Sequence, residues 1–161
     1  MLFKPTYVFN DITEITVDFL NKKHIKGLML DLDNTLTTHN NPVPPQTSIK
    51  WLDKMREAGI KMMIVSNNSA ERVTPFAQAL GLPFVPKGKK PLPVGYSQAK
   101  NEMGLDKNEL AAVGDQIFTD VLGSNLCGVR SLFVFPIELE TSLPFRFKRF
   151  CERLFLPKRR V

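Results

Sequence analysis

The sequence predicts an α/β protein with a doubly wound parallel sheet between two helical layers. Three observations predict it. Short apolar runs recur along the body of the chain, stretches of helical spacing separate them, and polar residues gather where each run ends. With 161 residues, 43% of them hydrophobic and 24% charged, the chain has room for one core, which excludes disordered and fibrous classes. Cys127 and Cys151 stand in no paired spacing, so a disulfide framework is excluded and a reducing compartment is expected. No apolar run reaches the roughly 18 to 20 residues of a bilayer span, and the opening residues lack the basic-then-apolar order of a secretory signal. A cytoplasmic chain is the expectation.

In chain order, residues 16–23 predict a short helix, and residues 27–32 read as a buried strand. Residues 47–58 set Ile49, Leu52 and Met55 at helical spacing, with Trp51 on the face of Met55 and Gly59 closing the helix. Residues 61–66 form the second strand. Ser69 is a natural N-cap for a helix over 70–80, Gly81 is its stop, and Pro75 is expected to shorten or kink it. A short strand at 84–85 precedes a helix over 94–103. Asp106 and Glu109 have capping-box spacing ahead of the strand at 110–113. A helix over 119–126 and a fifth strand at 131–135 complete the pattern.

The net charge of +6 lies wholly in the tail. Residues 1–140 hold fifteen Lys and Arg against fifteen Asp and Glu, whereas residues 141–161 hold seven basic residues against Glu152 alone. The expected organisation is a neutral domain over 1–140 and a basic amphipathic tail over 141–161. A basic balance spread over the surface would point to nucleic acid; one confined to an appendage does so less.

Open parallel sheets collect ligands at the carboxyl ends of their strands. The first strand ends in Asp31-Leu32-Asp33-Asn34-Thr35, two carboxylates able to take unlike roles. A calcium loop starting at Asp31 is excluded, because it needs Gly at Leu36 and Glu at Pro42. The second strand ends in Ser66-Asn67-Asn68, whose hydroxyl and following N–H groups suit phosphate oxygens. Lys89-Lys90-Pro91 follows the third strand, and Gly114-Asp115 through Thr119-Asp120 the fourth, where Gly114 permits close approach.

Taken together, these four segments resemble the motif set of the haloacid dehalogenase (HAD) superfamily of phosphohydrolases, D-x-D-x-T, S, K-P and G-D-x-x-x-T-D. More narrowly they look like the class IIIA phosphatases of the YqeG type, relatives of the mitochondrial phosphatidylglycerophosphate phosphatase. Lys4-Pro5-Thr6-Tyr7 and Leu143-Pro144-Phe145-Arg146-Phe147 also fit that group. The resemblance implies that Asp31 is a nucleophile forming an aspartyl-phosphate, and that Asp33 protonates the leaving oxygen and later deprotonates water. It implies Mg²⁺ held by Asp31, Asp115 and the main-chain carbonyl of Asp33. Ser66 and the Asn67 N–H would grip the phosphoryl group and Lys90 would neutralise its charge. Thr35 would stand at the substrate side and orient Asp33, and Asp120 would either partner Lys90 from behind, the favoured role, or serve as an auxiliary acid near the metal. His39, in the loop after Thr35, is either a headgroup contact or an exposed loop residue; His24 has no expected role.

The intervals between motifs leave no room for an inserted cap domain, so the expected site is open, suited to a phosphate displayed on something large. On a helical wheel Leu143, Phe147, Phe150, Cys151 and Leu154 share one sector, with Arg146, Arg149 and Arg153 on its flank. That pattern fits an interfacial helix at the inner face of the membrane or a terminal helix packed on the domain. RNA contact through Lys158, Arg159 and Arg160 is a third reading. The expected function is a Mg²⁺-dependent phosphomonoesterase acting on phosphatidylglycerophosphate, a lipid headgroup phosphate. A soluble nucleotide or sugar-phosphate phosphatase, or a partner-binding module in ribosome or GTPase-linked assembly, stands as the alternative.

Overall fold

A computed structural model describes residues 1–39, 41 and 43–156. The basic end at Lys158, Arg159 and Arg160, and the loop residues Asn40 and Pro42, lie outside the described residues.

Six strands form one all-parallel sheet in the order β1-β6-β5-β2-β3-β4. They are β1 (Tyr7–Phe9), β2 (Gly27–Leu30), β3 (Lys61–Val65), β4 (Phe84–Val85), β5 (Leu110–Gly114) and β6 (Arg130–Val134). The helices are α1 (Val17–Lys22), α2 (Gln46–Glu57), α3 (Ala70–Leu80), α4 (Val94–Met103), α5 (Leu122–Leu126) and α6 (Leu143–Glu152).

Strand alternation divides the apolar side chains between the two faces. Leu28, Leu30, Met62, Ile64, Ala111, Val113, Leu132 and Val134 enter one core with Trp51, Leu52, Met55, Val73 and Phe76 of α2 and α3. Met29, Met63, Val65 and Ala112 point the other way and meet Tyr96, Ala99 and Met103 of α4. Because both faces are covered, the central strands read as continuous apolar runs rather than alternating ones.

Most elements fall where the sequence places them; three differ. β1 adds a sixth strand that the sequence reading does not contain, pairing parallel with β6 from Tyr7↔Leu132 to Phe9↔Val134. Three residues at a sheet edge carry too short a pattern to be recognised alone. The segment read as a helix over 119–126 starts earlier, as one π-helical turn over Ile117–Val121 that passes into α5. Pro75 lies inside α3 without shortening it; the helix runs from the residue after Ser69 to Gly81, which takes φ 63°. Asp106 and Glu109 do form a capping box, around a 3₁₀ turn over Lys107–Glu109.

Candidate active site

The carboxyl ends of β2, β3 and β5, together with the loop after β4, meet at one point, the geometry that parallel order imposes. Lys90, delivered by the loop after β4, is 6% exposed, and its Nζ donates to Asp31 Oδ1 at 2.6 Å and to Asp120 Oδ1 at 2.7 Å. Burial opposes the charge on Lys90, but Asp120 and Asp31 outweigh it and hold the ammonium well above its ordinary range. Burial also pushes the Asp31 carboxyl up to about 6, against the pull of Lys90 and with Asp120 adding to the rise.

Gly114 is what allows Asp120 to reach this centre. A Cβ on Gly114 would lie 2.3 Å from Asp120 Cγ, so any larger residue at the end of β5 would expel the carboxylate. Asp120 Oδ2 accepts from the N–H of Gln116 at 3.1 Å.

Asp33 is gripped from two sides. Arg72 of α3 donates to Oδ1 at 2.8 Å, and Asn68 Nδ2 donates to Oδ2. Arg72 also donates to the main-chain oxygen of His39 at 3.2 Å, tying the loop after β2 to α3. Neither Arg72 nor Asn68 was a site residue on sequence grounds. Asn68 stood inside a motif, but no local pattern marks a helix arginine 39 residues away as a partner of Asp33.

Thr35 is buried, and its hydroxyl approaches Asp31 Oδ2 at 3.4 Å; no bond to Asp33 is formed, which differs from the expected orientation. Ser66 is buried and its Oγ accepts from the Asn68 N–H at 3.1 Å. The Asn67 side chain exchanges two bonds with the main chain of Lys90, Nδ2 to the carbonyl at 2.9 Å and Lys90 N–H to Oδ1 at 2.7 Å, so it fixes the lysine's backbone. The ring of His39 lies 3.8 Å from Glu140 and 6.4 Å from Phe145, centroid to centroid, at the rim rather than in the centre.

The C-terminal segment forms a wall of the site. Asn34 donates to Glu140 at 3.2 Å and its Oδ1 accepts from the Glu138 N–H at 3.2 Å. Arg149 of α6 reaches Asp115, and Lys148 reaches Gln116. The polar edge of α6 therefore faces the body while its apolar side points outward, with Leu143 77% and Phe150 65% exposed.

The chain fits a divalent cation at Asp115. Its Oδ1 is buried with no hydrogen-bond partner among the described residues, and carboxylate oxygens of Asp31, Asp115 and Asp120 lie within 4.8 Å of one another. An orphaned buried oxygen is costly, and a hard cation relieves it. Burial holds Asp115 well above the usual carboxylate range despite Arg149, with Asp31 and Asp120 adding to the shift.

The chain is similar to known proteins in sequence and in fold. A family model described as haloacid dehalogenase-like hydrolase matches residues 40–128. Over 154 residues the chain is 38% identical to "Probable phosphatase YqeG" of Bacillus subtilis (strain 168), covering 96% of this chain and 90% of that one. Among solved structures, a 4-nitrophenylphosphatase from Thermotoga maritima superposes with a TM-score of 0.60 at 13% identity, covering 76% of this chain and 89% of that one. The cobalt-bound deoxy-D-mannose-octulosonate 8-phosphate phosphatase from Haemophilus influenzae gives a TM-score of 0.57 at 14% identity, over 78% of this chain and 75% of that one. At these identities the two structures establish the fold.

Proposed function

Because the chain is a phosphatase of the haloacid dehalogenase-like hydrolase family, we propose that Asp31 is its nucleophile, that Asp33 is its general acid and base, and that its substrate is a phospholipid monoester of the phosphatidylglycerophosphate kind. The observation that carries the catalytic part is the buried Lys90 ion pair with Asp31 at the carboxyl edge of the sheet. A carboxylate oxygen of Asp31 attacks phosphorus, forming the acyl phosphate as the bond to the leaving oxygen breaks. Asp33 delivers its proton to that oxygen. Water then attacks phosphorus, Asp33 takes the water's proton, and the Asp31 carboxylate leaves.

Arg72 and Asn68 hold the Asp33 carboxyl in one orientation for both transfers. Ser66 and the Asn67 N–H receive the phosphoryl oxygens, and Lys90 meets their charge. Mg²⁺ would be held by Asp31, Asp115 and the main-chain carbonyl of Asp33, and bound there it supplies Lewis-acid neutralisation of the phosphoryl group.

The outward face of α6 supports the lipid assignment. Leu143, Phe147, Phe150 and Leu154 are exposed together beside Arg146 and Arg153, an apolar strip with basic flanks suited to an anionic membrane surface. Among the described residues no inserted cap domain interrupts the chain between the strand ends. The test is phosphate release from dispersed phosphatidylglycerophosphate, nucleotides, sugar phosphates and an aryl phosphate, with wild type and a Phe147→Ser, Phe150→Ser variant. These two side chains are exposed, so the variant keeps its fold. The expected result is loss of anionic-vesicle sedimentation and of lipid turnover, with aryl phosphate hydrolysis retained. Equal rates on lipid by both proteins would reject the interfacial role.

A further inference from the structure

One guanidinium grips a single aspartate at both ends. Arg149 Nη1 donates to the main-chain carbonyl of Asp115 at 2.5 Å, and Nη2 donates to its Oδ2. Closing the fork on two acceptors of one residue blocks rotation of that side chain. Its remaining oxygen, Oδ1, is left buried and, among the described residues, unpartnered. Resting on the metal reading above, we propose that Arg149 is a positioning residue that presents Asp115 Oδ1 to the metal, making α6 a structural part of the metal site.

The guanidinium is itself held. Nε and Nη2 donate to the two oxygens of Glu140 at 3.0 and 2.7 Å, and Nη1 donates to Glu152 Oε2 at 3.0 Å. Burial opposes its charge, but these carboxylates and Asp115 raise its basicity further. Glu152 is 2% exposed, and its Oε1 accepts from the N–H of Ile117 at 2.9 Å, fixing the start of the π-helical turn that follows Asp115. Two residues of α6, three positions apart, thus grip Asp115 and the turn behind it. A planar fork sets two N–H groups side by side, one on the carbonyl and one on the carboxylate of the same residue, whereas an ammonium brings its donors from a single atom. The rival role, a cation that competes with the metal for Asp115, predicts the opposite effect on metal binding.

The test is calorimetric titration of the full chain with Mg²⁺ in the absence of substrate, with kcat at saturating Mg²⁺ as a second reading. Arg149→Lys keeps the charge and loses the fork. The expected result is Mg²⁺ affinity weakened by about 10- to 100-fold, the usual cost of losing a group that orients a ligand, with kcat largely recovered at saturating Mg²⁺. Unchanged or tighter Mg²⁺ binding in Arg149→Lys would overturn the proposal. If that variant does not fold, Glu152→Gln replaces it, since the amide oxygen still accepts from Ile117 while the hold on Arg149 weakens; unaltered affinity there overturns the proposal equally. A wild-type protein that binds no Mg²⁺ rejects instead the metal reading on which the proposal rests.

Discussion

Lys90 Nζ lies 2.6 Å from Asp31 Oδ1, with the lysine side chain 3% and the aspartate side chain 12% exposed. The two residues are 59 positions apart, and parallel strand order alone brings the loop after β4 to the end of β2. With Asp120 on its other side, the ammonium holds two carboxylates that would otherwise repel.

Removing the ammonium therefore costs stability as well as rate. Lys90→Met leaves Asp31 and Asp120 buried without a counter-charge, and breaking a buried pair in this way costs about 3–5 kcal/mol. Denaturant unfolding of wild type and variant measures it. A loss below about 1 kcal/mol, the value of an exposed pair, would mean that water reaches the site freely.

Asp31→Asn abolishes turnover, because an amide cannot form the acyl phosphate, while the near-isosteric side chain leaves the fold intact. Asp33→Asn instead slows turnover by about 10²–10⁴-fold, the range for losing a general acid and base. Steady-state rates with a poor leaving group separate the two: full activity in Asp33→Asn removes its assigned role.

The Asp31 carboxyl also sets a pH dependence. Its ordinary value is 3.8, and burial lifts it to about 6 in the metal-free protein. Below pH 3.8 folded and unfolded chains both hold the proton. Between 3.8 and about 6 the folded chain alone retains it, so this group's contribution to stability falls as pH rises through that window. The metal-free stability of Asp31→Asn relative to wild type should accordingly improve from pH 4 to pH 6 and then level off, to about the extent that thermal unfolding can follow. Mg²⁺ requires the ionised form, so its affinity in wild type should weaken as pH drops below about 6. A titration with no pH dependence between 5 and 8 would exclude Asp31 as a ligand.

The sequence made the central sheet legible because β2, β3, β5 and β6 are buried on both faces and read as continuous apolar runs. The residues at their ends were legible for the same reason, since each lies next in the chain to its strand. What escaped was supplied from a distance. β1 gains meaning only beside β6; Arg72 acts on Asp33 across 39 positions and Arg149 on Asp115 across 34. The helical wheel of the tail gave the amphipathic sectors, but which edge turns inward depends on Asp115, Glu140 and Glu152 converging on one arginine.

The pairing of Tyr7 with Leu132 bears on how the chain is made. During synthesis β1 leaves the ribosome well before β6, its one sheet partner among the described residues, which follows more than a hundred residues later. Until then the strand has no ladder to join, and of the two rings that Phe3 packs on, Phe118 precedes β6 in the chain while Phe155 follows it. Contacts this distant in sequence slow folding, and an unpaired strand is exposed to the wrong partners meanwhile. The nascent chain thus carries an unpaired β1 until β6 has emerged to cover it.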